Sequence, residues 1–381
     1  NFNAIGSSKR IINKPNSGLE GSHMYHIGDY YYIYATYGGG YDHSQTIFRS
    51  KNPFGPYEEH DGLLFEKQDI HQGGLVQTQT GEWWTILFKD AGTIGRIPYL
   101  EPVVWKDGWP VLGNNGIDVS KGGKSYKKPN VGKEYPKTYL PTNDGFNTDK
   151  LGMQWEWNHN PDNSAWSLTE RPGFLRLYTS GIVKEGTGTK LNEFLQARNT
   201  LTQRMFGYDK EGASTSTDTY GTICLDVSHM KEGDVAGRCV FQDPHAYVAV
   251  KMIDGKKRVV YYRAPWWEPK AAWQGVVDDT EHYRTFSTST ASHNDKIYLR
   301  AVANFKTNKL KFYISWDNQK WFDLGKNIET EMRYTLKIFT GNRFAIFNYA
   351  TQQNGGYVDV DWFSTEETVD ENKFNDLTAI E

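Results

Sequence analysis

The sequence predicts an all-β chain in which a propeller-type region is followed by a β-sandwich, and three observations carry that prediction. Helical periodicity is nearly absent, while alternating aromatic and β-branched runs bounded by Gly, Asn and Asp recur along the chain. Near the start, Gly28-Asp29-Tyr30-Tyr31-Tyr32-Ile33 is echoed by Gly81-Glu82-Trp83-Trp84-Thr85-Ile86, with glycine, acid and two aromatics in the same order 53 residues on, a blade-sized period. From Leu151 to Phe363, short alternating strands succeed one another at the spacing of a sandwich.

Within residues 1–115, each echo follows a strand, ending at Tyr25-His26 and at Val76-Gln77-Thr78, so each reads as a hairpin turning at its glycine. Residues 46–50 and the turn over 52–57 supply the outer part of a blade, and a later hairpin turns on Asp107-Gly108. A propeller closes with about four to eight blades. At this period residues 1–115 hold two blades and part of a third, so the remaining blades are expected outside the chain. Residues 116–150, rich in Lys, Gly, Pro and Asn, are predicted as a linker. Residues 151–365 are predicted as the sandwich, with strands over 174–178, 222–227, 247–251, 258–262, 297–302 and 310–314, and residues 366–381 as an acidic tail.

Composition narrows the partners. A formal net charge of −3 gives no basic face for nucleic acid. No run approaches the roughly 20 apolar residues of a membrane helix, so neither nucleic acid nor membrane is an expected partner. The 13 Trp and 24 Tyr are flat rings with polar edges, suited to stacking on sugars and equally to filling sheet cores. Cys224 and Cys239 are too few for a disulfide framework or a zinc cluster and are expected as buried thiols.

The residues that carry chemistry lie early. Glu20, in Leu19-Glu20-Gly21-Ser22-His23, is a lone acid in a Gly/Ser turn leading into the aromatic strand, the setting a glycosidase needs for a general acid; taken alone it is equally an ordinary turn carboxylate. His71 precedes Gln72-Gly73-Gly74 at the start of an inner strand, one blade on from Glu20, where its ring can face a central channel. Arg96, in Gly95-Arg96-Ile97-Pro98, is placed in a turn between inner strands, where its fork can bind sugar hydroxyls or a carboxylate, or form a surface ion pair.

These stretches, with Phe54-Gly55-Pro56-Tyr57-Glu58, Tyr99-Leu100-Glu101-Pro102-Val103, Gln154-Trp155-Glu156-Trp157-Asn158-His159-Asn160-Pro161, Trp166 to Gly173, Ala197 to Arg204 and Phe344-Ala345-Ile346-Phe347-Asn348, resemble glycoside hydrolase family 43 over residues 1 to 365. The resemblance is to the β-xylosidases and α-L-arabinofuranosidases with a C-terminal sandwich. It implies the C-terminal part of a five-bladed β-propeller followed by a concanavalin-like β-sandwich. It implies an exo-acting, inverting O-glycosyl hydrolase that releases terminal β-D-xylose or α-L-arabinofuranose from hemicellulose-derived xylo- or arabino-oligosaccharides. Glu20 falls at the general acid, Arg96 at an arginine that reaches the sugar, and His71 at a histidine that faces sugar and helps hold a calcium ion, through water, in the channel. Phe344 is the candidate for a sandwich phenylalanine that closes the pocket. No cofactor is required beyond that structural calcium.

One departure is plain. The family's base and the aspartate that tunes its acid lie upstream of the acid, yet residues 1–19 contain no Asp or Glu, and Asp42, Asp69 and Asp90 lie at positions that do not match the base. The expectation is that blades absent from this chain supply the base, on a second polypeptide among other arrangements. The alternatives are a carbohydrate-binding remnant without catalysis, and an interaction protein with sugar-like aromatics by coincidence.

Overall fold

The computed structural model describes residues 3, 6–38, 44–62, 64, 70–113, 126–136, 138, 140–185, 193–206, 218–264, 266–271, 274–278, 284–286, 295–324, 330–335, 338 and 340–370. It divides into two compact units, the first of residues 1–91 and 96–137, the second of residues 92–95 and 138–381. The division at 137/138 falls inside the segment predicted as a linker, of which residues 116–125, 137 and 139 lie outside the described residues. No described helix is long and apolar enough to cross a membrane.

The first unit consists of two four-stranded antiparallel sheets. One is β1 (Leu19–Ile27), β2 (Tyr30–Tyr37), β3 (Ser44–Ser50) and β4 (Glu58–Glu59); the other is β5 (Ile70–Gln77), β6 (Trp83–Asp90), β7 (Arg96–Lys106) and β8 (Trp109–Leu112). Each has its strands in chain order, which is how a propeller blade is built. The tyrosine-rich strands join the blades because a buried tyrosine needs a partner for its hydroxyl. Tyr25 Oη accepts from the Leu75 N–H at 2.8 Å, Tyr34 Oη meets Thr85 Oγ1 at 3.1 Å, and Tyr32 Oη donates to the Gly108 carbonyl at 2.7 Å. Ile47, Leu75, Leu87 and Val103 close the core around these rings.

The second unit is a sandwich. Its strands are β9 (Trp155–Trp157), β10 (Trp166–Ser167), β11 (Leu175–Tyr178), β12 (Leu201–Arg204), β13 (Thr219–Asp226), β14 (Asp234–Phe241), β15 (Ala246–Ile253) and β16 (Lys256–Arg263). There follow β17 (Trp266–Ala271), β18 (Gln274–Asp278), β19 (Arg284–Phe286), β20 (Lys296–Asn304), β21 (Lys309–Ser315), β22 (Trp321–Asp323), β23 (Thr330–Glu331), β24 (Arg343–Ala350) and β25 (Tyr357–Ser364). One sheet has the order β10-β11-β25-β13-β20-β21-β22 with β23 also on β21, the other β19-β16-β15-β14-β24-β12-β9, and β17-β18 form a separate hairpin. The main core, including Leu175, Ile223, Val248, Leu299, Ile346 and Val360, gathers residues of both large sheets. The central strands β14 and β24 are buried on both faces, because Val183 and Phe194 cover the side opposite the core against Cys239, Phe347 and Tyr349. That is why Phe344-Ala345-Ile346-Phe347 reads as a continuous apolar run instead of alternating. Cys224 and Cys239 are buried free thiols, as the sequence implied.

Asp234, at the start of β14, is fully buried; its Oδ2 accepts from the Lys231 N–H at 2.7 Å, and Oδ1 has no protein partner. Gly356 makes room for it, since a Cβ there would stand 1.6 Å from Oδ2. Burial pushes the carboxyl up to about 6. Between the ordinary aspartate value of 3.8 and about 6, the folded chain keeps a proton that the unfolded chain has released. Stability therefore falls as pH rises through that window, by on the order of 2–3 kcal/mol. Asp234→Asn is expected to flatten this slope, melting above wild type at pH 7 and closer to it at pH 4; thermal melts of both proteins across the range check it.

Candidate active site

Two matching β-bulges shape the inner strands of the two blades. Between Glu20 and His23 of β1, Gly21-Ser22 face one residue of β2; between His71 and Gly74 of β5, Gln72-Gly73 face one residue of β6. A bulge bends its strand and re-aims the neighbouring side chain. Glu20 and His71 thus hold the same position in successive blades, the last paired residue before the bulge. Glu20 lies inside a strand, not in the predicted turn; the chain turns later, at Gly28-Asp29.

The bulges meet each other. Gly21 has φ +62°, and a Cβ there would come within 2.7 Å of Gln72 Cγ; one on Gly73 would lie 1.8 Å from the Ile86 carbonyl oxygen. Gln72 itself takes a left-handed φ of 52°. Its N–H donates to Oε1 of the buried Gln45 at 3.0 Å, and Gln45 Nε2 donates to the Ala35 carbonyl at 2.7 Å. Gln45 therefore ties the β5 bulge to the neighbouring blade. The exposed Glu20 carboxyl lies over Gly38, where a Cβ would be 2.2 Å from Oε1.

His71 is 4% exposed, its ring centroid 4.9 Å from that of Phe88. The Arg96 guanidinium lies 4.3 Å over the same Phe88 ring, and its Nε donates to Asp90 Oδ1 at 3.1 Å. Arg96 opens β7 directly opposite Asp90, so it belongs to a strand and not to the turn expected for it. Register places His71, Phe88, Asp90 and Arg96 on one face of the second blade, with Val76, Ile86, Leu100 and Val104 farther along the same face. Those four are 48%, 50%, 42% and 65% exposed, an apolar patch uncovered within this unit. The opposite face, with Leu75, Thr85 and Leu87, packs on the first blade.

Phe344 is corrected by the structure. Its ring is 1% exposed in the sandwich core, under the buried Arg238 guanidinium at 4.2 Å and beside Phe363, and has no open face for a sugar. The calcium assigned through His71 finds no support either: among the described residues no three His, Cys, Asp or Glu side chains gather to hold a cation, and the ring beside His71 is phenylalanine. Those residues do not fit the ion. Asp90 serves Arg96, while Asp42 and Asp69 lie outside the described residues. Gln45, Gly38 and Phe88 were not singled out from sequence. Phe88 was within reach, two residues beyond Ile86 on a period-2 strand; the contacts of Gln45 and Gly38 depend on how the blades pack.

Residues 5–110 match the glycosyl hydrolases family 43, and residues 143–366 match the family described as beta xylosidase C-terminal concanavalin A-like domain. A beta-xylosidase of Formosa agariphila is 35% identical over 352 residues, 85% of this chain and 53% of that protein. A non-reducing end alpha-L-arabinofuranosidase of Bacteroides ovatus is 37% identical over 199 residues, 46% of this chain and 37% of that protein. Among solved structures, a bifunctional GH43-CE protein of Bacteroides eggerthii superposes with a TM-score of 0.69 at 34% identity, covering 96% of this chain and 44% of that one. An engineered GH43 glycoside hydrolase displaying endo-xylanase and exo-arabinofuranosidase activity gives 0.70 at 30% identity, covering 94% and 66%. The chain spans about half the length of the first of these curated relatives. Its blades and its sandwich, matched in that order over most of its length, make the chain a member of glycoside hydrolase family 43.

Proposed function

We propose that this chain supplies the general acid and one sugar-binding wall of an exo-acting, inverting glycosidase that releases terminal β-D-xylose or α-L-arabinofuranose from hemicellulose-derived oligosaccharides, with the base on blades outside these 381 residues. The observation that carries this reading is the open apolar face of the second blade, which ends in His71, Phe88 and Arg96 beside the Glu20 bulge. A blade in a closed propeller is covered on both faces, and a further blade laid on this face would wall a pocket at that end. The beta-xylosidase and arabinofuranosidase relatives support the choice of sugars.

In this reading Glu20 gives its proton to the glycosidic oxygen as the bond to the anomeric carbon breaks. Water, deprotonated by the base ~6.5–9.5 Å away, attacks the opposite face of the sugar. Glu20 then regains a proton from solvent. Arg96, steadied by Asp90 and the Phe88 ring, binds sugar hydroxyls through its guanidinium, and His71 adds a hydrogen bond beside it.

The second reading is sugar binding without turnover, which the open face of the second blade with His71 and Arg96 would serve without a base. An intact mass of the folded, active material, joined to ¹H NMR of the first-formed anomer from an aryl β-xyloside, separates the two. Turnover giving α-xylose first, by material that contains a second polypeptide or a longer chain, supports the enzyme. A lone 43.7 kDa species that binds pentose and releases none supports the binding reading.

Gly38→Ala tests the acid without touching it. The new Cβ displaces the Glu20 carboxyl, and turnover of an alkyl xyloside is expected to fall about ten- to a hundredfold, with an activated aryl xyloside affected far less and the melting temperature little changed.

A further inference from the structure

The sandwich holds a cavity of about 240 Å³ that the proposed chemistry does not use. His245, just before β15, lines it and is 3% exposed. The imidazole stacks on the Tyr262 ring at 5.4 Å and packs against Phe194 at 4.7 Å, yet neither ring nitrogen has a hydrogen-bond partner in the protein. Buried polar atoms in native proteins almost always have partners, and leaving two unmatched on one side chain is costly. Burial holds this imidazole far below its ordinary value, at about 3, so at neutral pH one nitrogen donates and the other accepts.

The remaining walls narrow the class of ligand. Val240, Leu310 and Met332 supply apolar surface. Charged groups line it as well: Glu331, paired with Arg333 and with Lys309 beyond the lining, and Arg263. The imidazole is the buried group left without partners, and a ring that donates at one nitrogen and accepts at the other suits a ligand that does both, which is the property of hydroxyl groups. Because the two nitrogens diverge, hydroxyls on more than one carbon are needed. The volume is below the ~300–1,000 Å³ usual for drug-sized ligands, which fits one sugar ring and excludes an oligosaccharide.

We propose that this cavity is a second carbohydrate site, taking a single neutral monosaccharide of pentose size whose hydroxyls exchange hydrogen bonds with both ring nitrogens of His245. It stands apart from the reading of Glu20, because every group it uses belongs to the sandwich unit.

The test is a titration of the 381-residue chain, labelled with ¹⁵N in its histidine rings, with D-xylose, L-arabinose and, as control, glycerol. The His245 resonances are identified by their loss in His245→Phe. The expected result is a saturable shift of both His245 ring nitrogens with a pentose and none with glycerol at the same concentration. Ala264→Leu, which fills the cavity from its wall and keeps the imidazole, should weaken that response at least tenfold; it covers the case in which His245→Phe fails to fold. Resonances that stay still in the folded chain, or move equally with glycerol, overturn the proposal and leave a cavity filled by water. Neither outcome depends on turnover at Glu20.

Discussion

Glu20→Gln is expected to slow release of an alkyl xyloside by about 10²–10⁴-fold, the usual worth of a positioned general acid, and to leave an aryl xyloside with an acidic phenol near the wild-type rate. An alkoxide cannot depart without a proton, whereas a stabilised phenolate can, so the ratio of the two rates reports proton donation apart from binding. The substitution suits the test because Gln keeps the shape of Glu and Gly38 leaves the same space above it. Glu20 is exposed, and surface changes of this kind usually stay within about 0.5 kcal/mol in stability, so lost activity cannot be laid to unfolding. Both substrates turning over at wild-type rates would remove Glu20 from the role.

What the sequence made legible was local. The 53-residue echo set the two hairpins, Asp107-Gly108 set a third turn, and alternation in segments such as Leu310 to Ile314 set the sandwich strands. Glu20 and His71 were legible as related positions because each stands before a glycine in a short polar run. That both are bulge positions was not, because a bulge is a property of pairing with a second strand. The same limit explains the error at Phe344: the motif around it can be recognised, but whether its ring faces solvent or Arg238 depends on the strands on either side. Arg96 was legible as a forked cation, while its fixing by Asp90 and Phe88 follows from the register of β6 on β7. His245 carried no signal, since a histidine before an alternating strand is ordinary until the cavity beside it is seen.

The largest effect on stability is expected at Asp359. This β25 carboxylate is 1% exposed and accepts three charge-assisted bonds, from Arg176 Nε and Nη2 at 2.8 and 2.9 Å and from Arg171 Nη1 at 2.9 Å. Arg171 also donates to Asp226 Oδ2 at 2.7 Å, so one cluster ties β11, β25 and β13 together across the sheet. The Asp359 bonds raise the Arg176 guanidinium above its ordinary range. Removing one member of such a buried pair costs about 3–5 kcal/mol where the partner is fully enclosed; with Arg176 15% and Arg171 38% exposed, water recovers part of that. Asp359→Ala is thus expected to lose about 3 kcal/mol in urea unfolding, most of it from stranding Arg176. The double replacement Asp359→Leu with Arg176→Leu should recover much of the loss, because well-packed apolar residues often equal a buried ion pair. Asp226 gives the cluster its acid sensitivity. Burial works to raise its carboxyl, but the Ser228 hydroxyl and Arg171 outweigh burial and hold it below the ordinary value of 3.8. Its contribution is present above that value and is lost as pH falls below it, so Asp226→Asn should unfold with a shallower acid slope than wild type. An Asp359→Ala protein that loses under about 1 kcal/mol would place the cluster with ordinary surface ion pairs and leave the sandwich held by its apolar core alone.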